Sequence, residues 1–174
     1  MERPAPPGAP DLDEGRAADD PLRTVRLLRR SWIYLSETVR TVTAPEGLSP
    51  IDYLALYYVD RADGLHPSTL SRTLGVRPPA VSEILDRLEA RQCLARTREE
   101  PDRRTVTVRI RPAGHALVEQ LSERIASSLA RLFERLSPSI RSVLGPGLQE
   151  FVAMLRQQAA IDGLPDVVQW ADEP

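Results

Sequence analysis

The sequence contains no lysine, only one cysteine and no long apolar run, and these shortages exclude several classes of protein. A single cysteine, Cys93, excludes an internal disulfide and fits a reducing compartment. No apolar run approaches the roughly 18 residues of a membrane-spanning helix, and the N-terminus lacks the apolar segment of a signal peptide. We therefore expect a cytoplasmic protein that has no membrane partner.

Residues that build catalytic and metal sites are also scarce. His66 and His115 have no cysteine or histidine at ligand spacing, so we expect no metal site. The sequence has no glycine-rich phosphate loop, no nucleophile elbow and no convincing triad. Cys93 coincides with an apolar position at the entry to a candidate strand, which favours a buried structural thiol over an exposed redox sensor. We expect neither an enzyme nor a cofactor.

Positive charge comes from 23 arginines and is unevenly distributed along the chain. The formal net charge of −2 argues against indiscriminate binding to polyanions. Residues 65–112, however, contain ten arginines and six acidic residues, whereas acids outnumber arginines in the rest of the chain. A locally basic module on an acidic body suits DNA that is bound by one face only. The alternative is an uneven scatter of solvated charges.

The stretch from Pro78 to Ile110 predicts a helix followed by a β-hairpin. Within Pro78–Ala90, one stripe at helical spacing is apolar: Val81, Ile84, Leu85 and Leu88. The opposite face carries Pro79, Ser82, Glu83, Asp86 and Arg87. Two candidate strands, Leu94–Arg98 and Thr105–Ile110, flank a polar gap whose Pro-Asp pair is typical of a hairpin loop. A helix followed by an arginine-tipped hairpin predicts a winged-helix head that reads DNA.

Three helices are predicted before Pro78. Pro21–Val42 repeats apolar residues every three or four positions, which is typical of a long amphipathic helix. Ser49-Pro50 opens a second helix that runs to about Arg61. A short helix, Ser68–Leu74, ends at Gly75, whose left-handed conformation we expect to start the turn of a helix-turn-helix.

Helices also follow the head. One is predicted from Pro112 to Leu136, and Ser137-Pro138 starts another, which Gly145-Pro146-Gly147 should break or sharply kink. The apolar stripes of the first and last helices have no evident partner within the chain. Because two recognition helices must lie about 34 Å apart to enter successive major grooves, we expect these helices to form the interface of a dimer.

The resulting fold class is mainly α with a small β-hairpin wing, a winged helix-turn-helix head between N- and C-terminal dimerisation helices. Residues 1–20 are expected to be a disordered arm, because they are rich in proline and acids and have few large apolar side chains. Residues 21–160 form the regulator, with the head at about 48–112 and the dimerisation helices at about 21–42 and 112–160. Residues 161–174 form an acidic tail.

Four motifs resemble the MarR family of bacterial transcription regulators. They are Leu48-Ser49-Pro50, the stretch from Leu70 to Val76, the stretch from Ala80 to Glu89, and Asp102-Arg103-Arg104. The resemblance implies a homodimeric winged-helix regulator, usually a repressor, that binds a palindromic operator in double-stranded DNA. It also implies release by a small aromatic, phenolic or lipophilic effector, or by thiol oxidation.

The resemblance also assigns roles to individual residues. Arg104 would enter the minor groove, where a narrow groove focuses negative potential. Arg103 would contact phosphate, and Asp102 would hold the wing loop through a salt bridge. The remaining candidate DNA-binding residues lie on the two helix-turn-helix helices and the turn between them: Ser68, Arg72, Arg77, Pro79, Ala80, Ser82, Glu83 and Arg87. Among these, Arg87 could read guanine or clamp phosphate, and Glu83 could accept from cytosine N4 or be a solvated helix residue.

Three positions depart from the family pattern. Arg77 stands where the family tends to have a serine or threonine cap, so phosphate affinity is gained and a good cap is lost. Gln92 occupies the place of a common glycine after the recognition helix. Arg111 replaces a usual threonine before the long C-terminal helix.

Two questions stay open at this stage. Trp32, Tyr53 and Tyr57 could line an effector pocket, although aromatic residues at helical spacing more often belong to the core. The outward Glu83 and Asp86 make the head less basic than expected of a DNA reader. They motivate an alternative function, a winged-helix module that binds protein rather than DNA.

Overall fold

The computed structural model describes residues 20–62, 64–98 and 106–162. Its helices are α1 (Pro21–Thr43), α2 (Pro50–Arg61), α3 (Pro67–Leu74), α4 (Pro78–Ala90), α5 (Pro112–Glu134) and α6 (Pro138–Ile161). Strands β1 (Leu94–Arg98) and β2 (Val106–Ile110) form an antiparallel hairpin, and a 3-10 turn, Ala44–Glu46, separates α1 from α2. The predicted fold class, mainly α with a small hairpin wing, is confirmed.

Some predicted features lie outside the described residues. They are the N-terminal arm up to residue 19, the hairpin loop with Asp102, Arg103 and Arg104, and the tail from residue 163. The chain divides into two compact units, Met1–Glu37 and Thr38–Pro174, and α1 contributes residues to both. The second unit contains the whole winged-helix head.

Proline opens the helices of the head because its fixed φ suits the first helical turn. At α2 it is preceded by a full capping box: the Ser49 hydroxyl accepts from the Asp52 N–H, and the Asp52 carboxylate accepts from the Ser49 N–H. By contrast, His66 and Arg77 occupy the N-cap positions of α3 and α4 without a side-chain cap bond. The lost cap expected at Arg77 is therefore confirmed.

Two tight turns shape the head. Gly75 ends α3 with φ 65°, the left-handed conformation predicted for it. Gln92 has φ 59° and so adopts, as a non-glycine residue, the conformation that the family's glycine would favour. Its side-chain oxygen accepts a hydrogen bond from the Arg111 guanidinium, so the two departures from the family pattern are partners. The turn into the wing therefore adopts a left-handed conformation without glycine. The Gln92 side chain in addition holds the start of α5.

The core of the head lies where α2, α3, α4, the hairpin and α5 meet. Its fully buried side chains include Leu56, Val59, Leu70, Leu85, Leu88, Leu94, Val108 and Leu121. The apolar stripe predicted for α4 is buried, and Cys93 is only 4% exposed, which confirms its prediction as a buried thiol. Removing these side chains from water drives the packing of the helices around the hairpin.

Two expectations about single elements were wrong or incomplete. Gly145-Pro146-Gly147 does not break the last helix, because α6 runs through it from Pro138 to Ile161. Pro146 lacks the N–H of one helical hydrogen bond, and the helix nevertheless continues on both sides of it. In the sequence of β2, Val106, Val108 and Ile110 alternate with polar residues, which predicts a half-buried strand with Thr107 on its open face, but Thr107 is buried. The segment at Gly64–Leu65 covers it, since Leu65 pairs with Val108 through two backbone hydrogen bonds of 2.8 and 2.9 Å.

Candidate nucleic-acid interface

Helix α4 has an exposed polar face in addition to its buried apolar stripe. Because the apolar stripe packs into the core, Pro79, Ser82, Glu83 and Arg87 are exposed, and Ala80 is half-buried. Helix α3 packs against α4. The structure thus brings eight of the ten candidate DNA-binding residues onto α3, α4 and the turn between them, and Ser68, Arg72 and Arg77 are exposed as well.

The two remaining candidates, Arg103 and Arg104, and the wing residue Asp102 lie outside the described residues. The strands that flank them are described, however. Leu94 pairs with Ile110, and Arg98 pairs with Val106. Because β1 and β2 are antiparallel neighbours, residues 99–105 connect the two strands of a hairpin. Contacts of Arg103 and Arg104 with DNA stay a prediction.

Arg96 on β1 pairs with Asp86, one of the two outward acids that weakened the case for DNA binding. Its guanidinium lies 2.6 Å from the Asp86 carboxylate and 3.0 Å from that of Glu89, and it also donates to the Ser82 carbonyl. The Arg96 backbone N–H donates to Glu89 as well. Asp86 is therefore compensated by a wing residue that ties the hairpin to the recognition helix, and both Asp86 and Glu83 are exposed on this face.

Arg87 has a partner within the head. Its guanidinium Nη2 lies 2.7 Å from Asp52 Oδ1 on α2, and its side chain is 52% exposed whereas that of Asp52 is only 8% exposed. Burial alone raises the pKa of Asp52. Hydrogen bonds from the Ser49 hydroxyl, Arg87 and the Ser49 N–H, together with the charge of Arg87, outweigh burial and lower this pKa below its ordinary value.

Arg91 and Arg124 add contacts around the segment between α1 and α2. Arg91, just after α4, donates to the carbonyls of Glu46 at 2.6 Å and Gly47 at 3.3 Å. Arg124 on α5 pairs with the Glu46 carboxylate at 3.2 Å. The segment that leaves α1 is therefore bound to both the recognition helix and α5.

His115 joins α5 to the end of α2. Its Nδ1 lies 2.7 Å from Asp60 Oδ1, and its Nε2 lies 3.5 Å from Glu119 on the next turn of α5. The hydrogen bond with Asp60, the charge of Asp60 and the charge of Glu119 raise the pKa of His115 above its ordinary value. In the described ranges, no group of three histidine, cysteine or acidic side chains could hold a metal ion.

The three aromatic residues predicted to line an effector pocket have different environments. Trp32 is 68% exposed on α1. Tyr53 is buried, and its hydroxyl lies 2.9 Å from that of Ser122 on α5. Tyr57 is half-buried, packs against Tyr53 with ring centroids 6.1 Å apart, and lies beneath the Arg61 guanidinium. A separate groove of about 410 Å³ lies between the end of α1 and the middle of α5, lined by Thr41, Val42, Glu123, Arg124, Ser127, Ser128 and Arg131.

Sequence reasoning missed the arginine contacts that organise this interface. The Ser49-x-x-Asp52 spacing is a capping-box signal and could have drawn attention to Asp52. The pairing of Asp52 with Arg87, 35 residues later, has no local signal. The same holds for the contact of Arg91 with residues 46 and 47.

Comparisons with known proteins agree with this geometry. Residues 46–105 match the model of the MarR family. The HTH-type transcriptional repressor Rv2887 of Mycobacterium tuberculosis is 27% identical over 143 residues, which cover 82% of this chain and 96% of that protein. Among the described residues, no helix combines the length and apolar character needed to cross a membrane.

Solved structures give the same fold. Apo MarR from E. coli superposes with a TM-score of 0.68 at 22% identity, covering 73% of this chain and 94% of that one. The transcriptional repressor CouR, bound to a 23-mer DNA duplex, has a TM-score of 0.63 at 26% identity and covers 81% of this chain and 98% of its own. With its helix-turn-helix and its hairpin, the head of this chain is similar to the MarR family of winged helix-turn-helix transcriptional regulators, whose family model matches residues 46–105.

Proposed function

We propose that this protein represses transcription in the cytoplasm by binding a palindromic operator as a homodimer. One observation carries the proposal: α4 buries its apolar stripe and turns a polar face outward beside the exposed arginines of α3 and the turn. This face would enter the major groove, while Arg103 and Arg104 of the wing would contact phosphate and the minor groove.

Relatives support the DNA partner and the direction of regulation. A similar chain is named as a transcriptional repressor, and a structurally similar repressor was solved on a DNA duplex. The pairing of Asp86 with Arg96 adds support, because the arginine offsets the negative charge of one of the two outward acids on this face. A duplex would therefore meet a surface on which arginines outnumber uncompensated carboxylates.

Exposed apolar side chains support a homodimer. On α1 these are Leu22, Val25, Leu27, Trp32, Ile33, Tyr34 and Leu35, and on α5 and α6 they include Leu132, Phe133, Ile140, Val143, Leu148, Phe151, Met154 and Leu155. So many exposed large apolar side chains on three helices indicate surfaces that bind another chain. A second copy of the chain offers the same faces, so a symmetric dimer is the simplest partner.

Release by a small effector is the regulatory part of the proposal. The groove of about 410 Å³ between the end of α1 and α5 lies in the size range of ligand sites. Its lining is more polar than the aromatic pocket predicted from Trp32, Tyr53 and Tyr57. An effector acts only if it binds the DNA-free arrangement of the heads more tightly than the DNA-bound one.

The alternative function, a winged-helix module that binds protein, has weaker support. It was motivated by the outward Glu83 and Asp86, and Asp86 is compensated by Arg96. Glu83 remains exposed and continues to motivate it.

A selection experiment tests the proposal. The purified chain is incubated with a library of random duplexes and with the fragment upstream of its own gene, and bound DNA is sequenced. We expect an enriched inverted repeat whose binding weakens steeply as salt increases. Failure to enrich any duplex, at low salt and with a folded dimer, would refute operator binding and leave the protein-binding module as the better explanation.

A further inference from the structure

We propose that Arg87 and Arg91 are positioning residues, which fasten the recognition helix α4 to the α1–α2 junction and do not contact DNA. The junction is defined as residues 46–52. The inference rests on the proposed DNA-binding function and deepens it, because it assigns these two arginines to the orientation of the reading head. It also replaces the direct role in DNA reading that sequence analysis gave to Arg87.

The first fastening is the pair formed by Arg87 and Asp52. Both oxygens of Asp52 are engaged, Oδ1 by Arg87 at 2.7 Å and Oδ2 by the Ser49 hydroxyl at 2.6 Å and the Ser49 N–H at 3.0 Å. The Asp52 side chain is 8% exposed, so DNA cannot reach it. If Arg87 turned away toward a phosphate, a buried carboxylate would lose its counter-charge, which is costly.

The second fastening lies one helical turn further along. Arg91 follows Arg87 by four residues and therefore projects from the same side of the helix. It donates to two backbone carbonyls of the junction, those of Glu46 and Gly47. Two arginines on one side of the recognition helix thus contact three residues of the junction, Glu46 and Gly47 at its start and Asp52 at its end.

The junction is in turn anchored to the elements that precede and follow the head. It begins three residues after Thr43, which ends α1 and is fully buried, and the Leu48 N–H donates to the Thr43 carbonyl. Leu48 is buried in the core. Arg124 on α5 holds the Glu46 carboxylate. A shift of the end of α1 against α5 therefore reaches α4 through Glu46, Arg91, Asp52 and Arg87.

Salt titration distinguishes positioning from direct contact. A side chain that neutralises one phosphate contributes about 0.9 to the slope of log K against log salt, whereas a positioning residue changes affinity and leaves the slope unchanged. The duplex is the one selected from the random library by the wild-type protein. The variants are Arg87→Gln, Arg91→Gln and Asp52→Asn, and the matched control is Arg72→Gln, at an exposed arginine of α3 predicted to contact DNA.

We expect Arg87→Gln and Asp52→Asn each to weaken binding about tenfold with an unchanged salt slope. The double variant should bind no more weakly than either single one, because both substitutions remove the same contact. Arg91→Gln should also keep the slope, and Arg72→Gln should lower it by about one. A slope reduced by one in Arg87→Gln would overturn the proposal, as would unchanged or tighter binding by Asp52→Asn.

A second measurement needs no DNA and separates this inference from the proposed function. Hydrogen exchange of the backbone amides at residues 48–56 is compared among the folded dimers of wild-type protein, Arg87→Gln, Arg91→Gln and Arg72→Gln. We expect faster exchange in the first two variants and wild-type rates in Arg72→Gln. If the wild-type protein binds no duplex, the proposed function fails. If exchange at the junction is unchanged in both Arg87→Gln and Arg91→Gln, the fastening itself is refuted.

Discussion

A side chain at position 114 has no room in this fold. A Cβ atom built on Gly114 would lie 2.0 Å from the Cys93 carbonyl oxygen and 2.9 Å from Ile110 Cδ1. The same carbonyl accepts the Arg111 N–H at 2.9 Å, so it cannot move aside without breaking the contact that starts α5. Gly114 therefore allows α5 to pack directly on the backbone that enters the wing.

Gly114→Ala should lower the free energy of unfolding by about 2 kcal/mol. Helix propensity favours alanine by roughly 1 kcal/mol, but a Cβ this close to an immobile backbone should cost about 3 kcal/mol, the upper end of the usual range for overpacking. Urea denaturation at one fixed protein concentration measures the change. The control is Gly145→Ala in α6, where the added Cβ meets open space and stability should rise by about 0.5–1 kcal/mol. Equal effects at both glycines would contradict the packing argument.

Arg104→Ala should weaken operator binding while the protein remains folded. The position lies outside the described residues, and the prediction rests on the wing motif and on the register of the strands that flank it. An arginine in a narrow minor groove gains from focused negative potential, so we expect at least a tenfold loss and a smaller salt slope. Gel shifts over a range of salt concentrations measure both quantities. Arg135→Ala, at an exposed position after α5, is the control and should bind as the wild-type protein does.

At the scale of elements, periodicity and caps predicted most of the head. Pro78–Ala90 and Leu94–Arg98 have their predicted bounds, and Ser49-Pro50 opens α2 as expected. These features are local, since apolar spacing and cap chemistry act within a few residues. The contacts of Arg87 and Arg96 could not be predicted in the same way, because each joins elements that come together only in the folded chain. The continuity of α6 through Pro146 was not predicted either, because proline and glycine usually interrupt a helix.

The contact between α2 and α5 through His115 makes stability depend on pH. Because Asp60 and Glu119 raise the pKa of His115 above 6.5, the folded state binds the proton more tightly than the unfolded state. The stabilisation is therefore fully present below about pH 6.5, the unfolded value, and is lost as pH rises through the folded pKa. The melting temperature of the wild-type protein should thus exceed that of His115→Gln at pH 6, and the difference should shrink toward pH 9.

Proton NMR provides a direct check of that sign. The chain has only two histidines, so His115→Gln identifies the ring signals of His115 by their loss. We expect those signals to titrate above pH 6.5. A titration midpoint at or below that value, or a melting difference that does not vary with pH, would rule out the ionic contact as a source of stability.

At the scale of the whole molecule, the apolar stripes are the part of the sequence pattern that a single chain leaves unexplained. Periodicity predicted where they lie, and much of each stripe on α1 and α6 is exposed. Propensity and core packing within one chain cannot account for them, because exposed apolar surface costs free energy in water. In the proposed dimer, these surfaces would hold two recognition helices about 34 Å apart, so that each could enter one of two successive major grooves.

Phe151→Glu should convert a dimer into a monomer and abolish tight operator binding. Phe151 is 38% exposed on α6 among other exposed apolar residues, and burying such a side chain contributes about 1.5–3 kcal/mol. The loss is doubled because both copies carry the substitution, and burying the new carboxylates adds to it. Light scattering after size exclusion should give about 19.4 kDa for the variant and twice that mass for the wild-type protein and for Gln120→Glu, an exposed control on α5. A wild-type protein that runs as a monomer at micromolar concentration would remove the basis for two-headed binding, whatever the affinity of a single head.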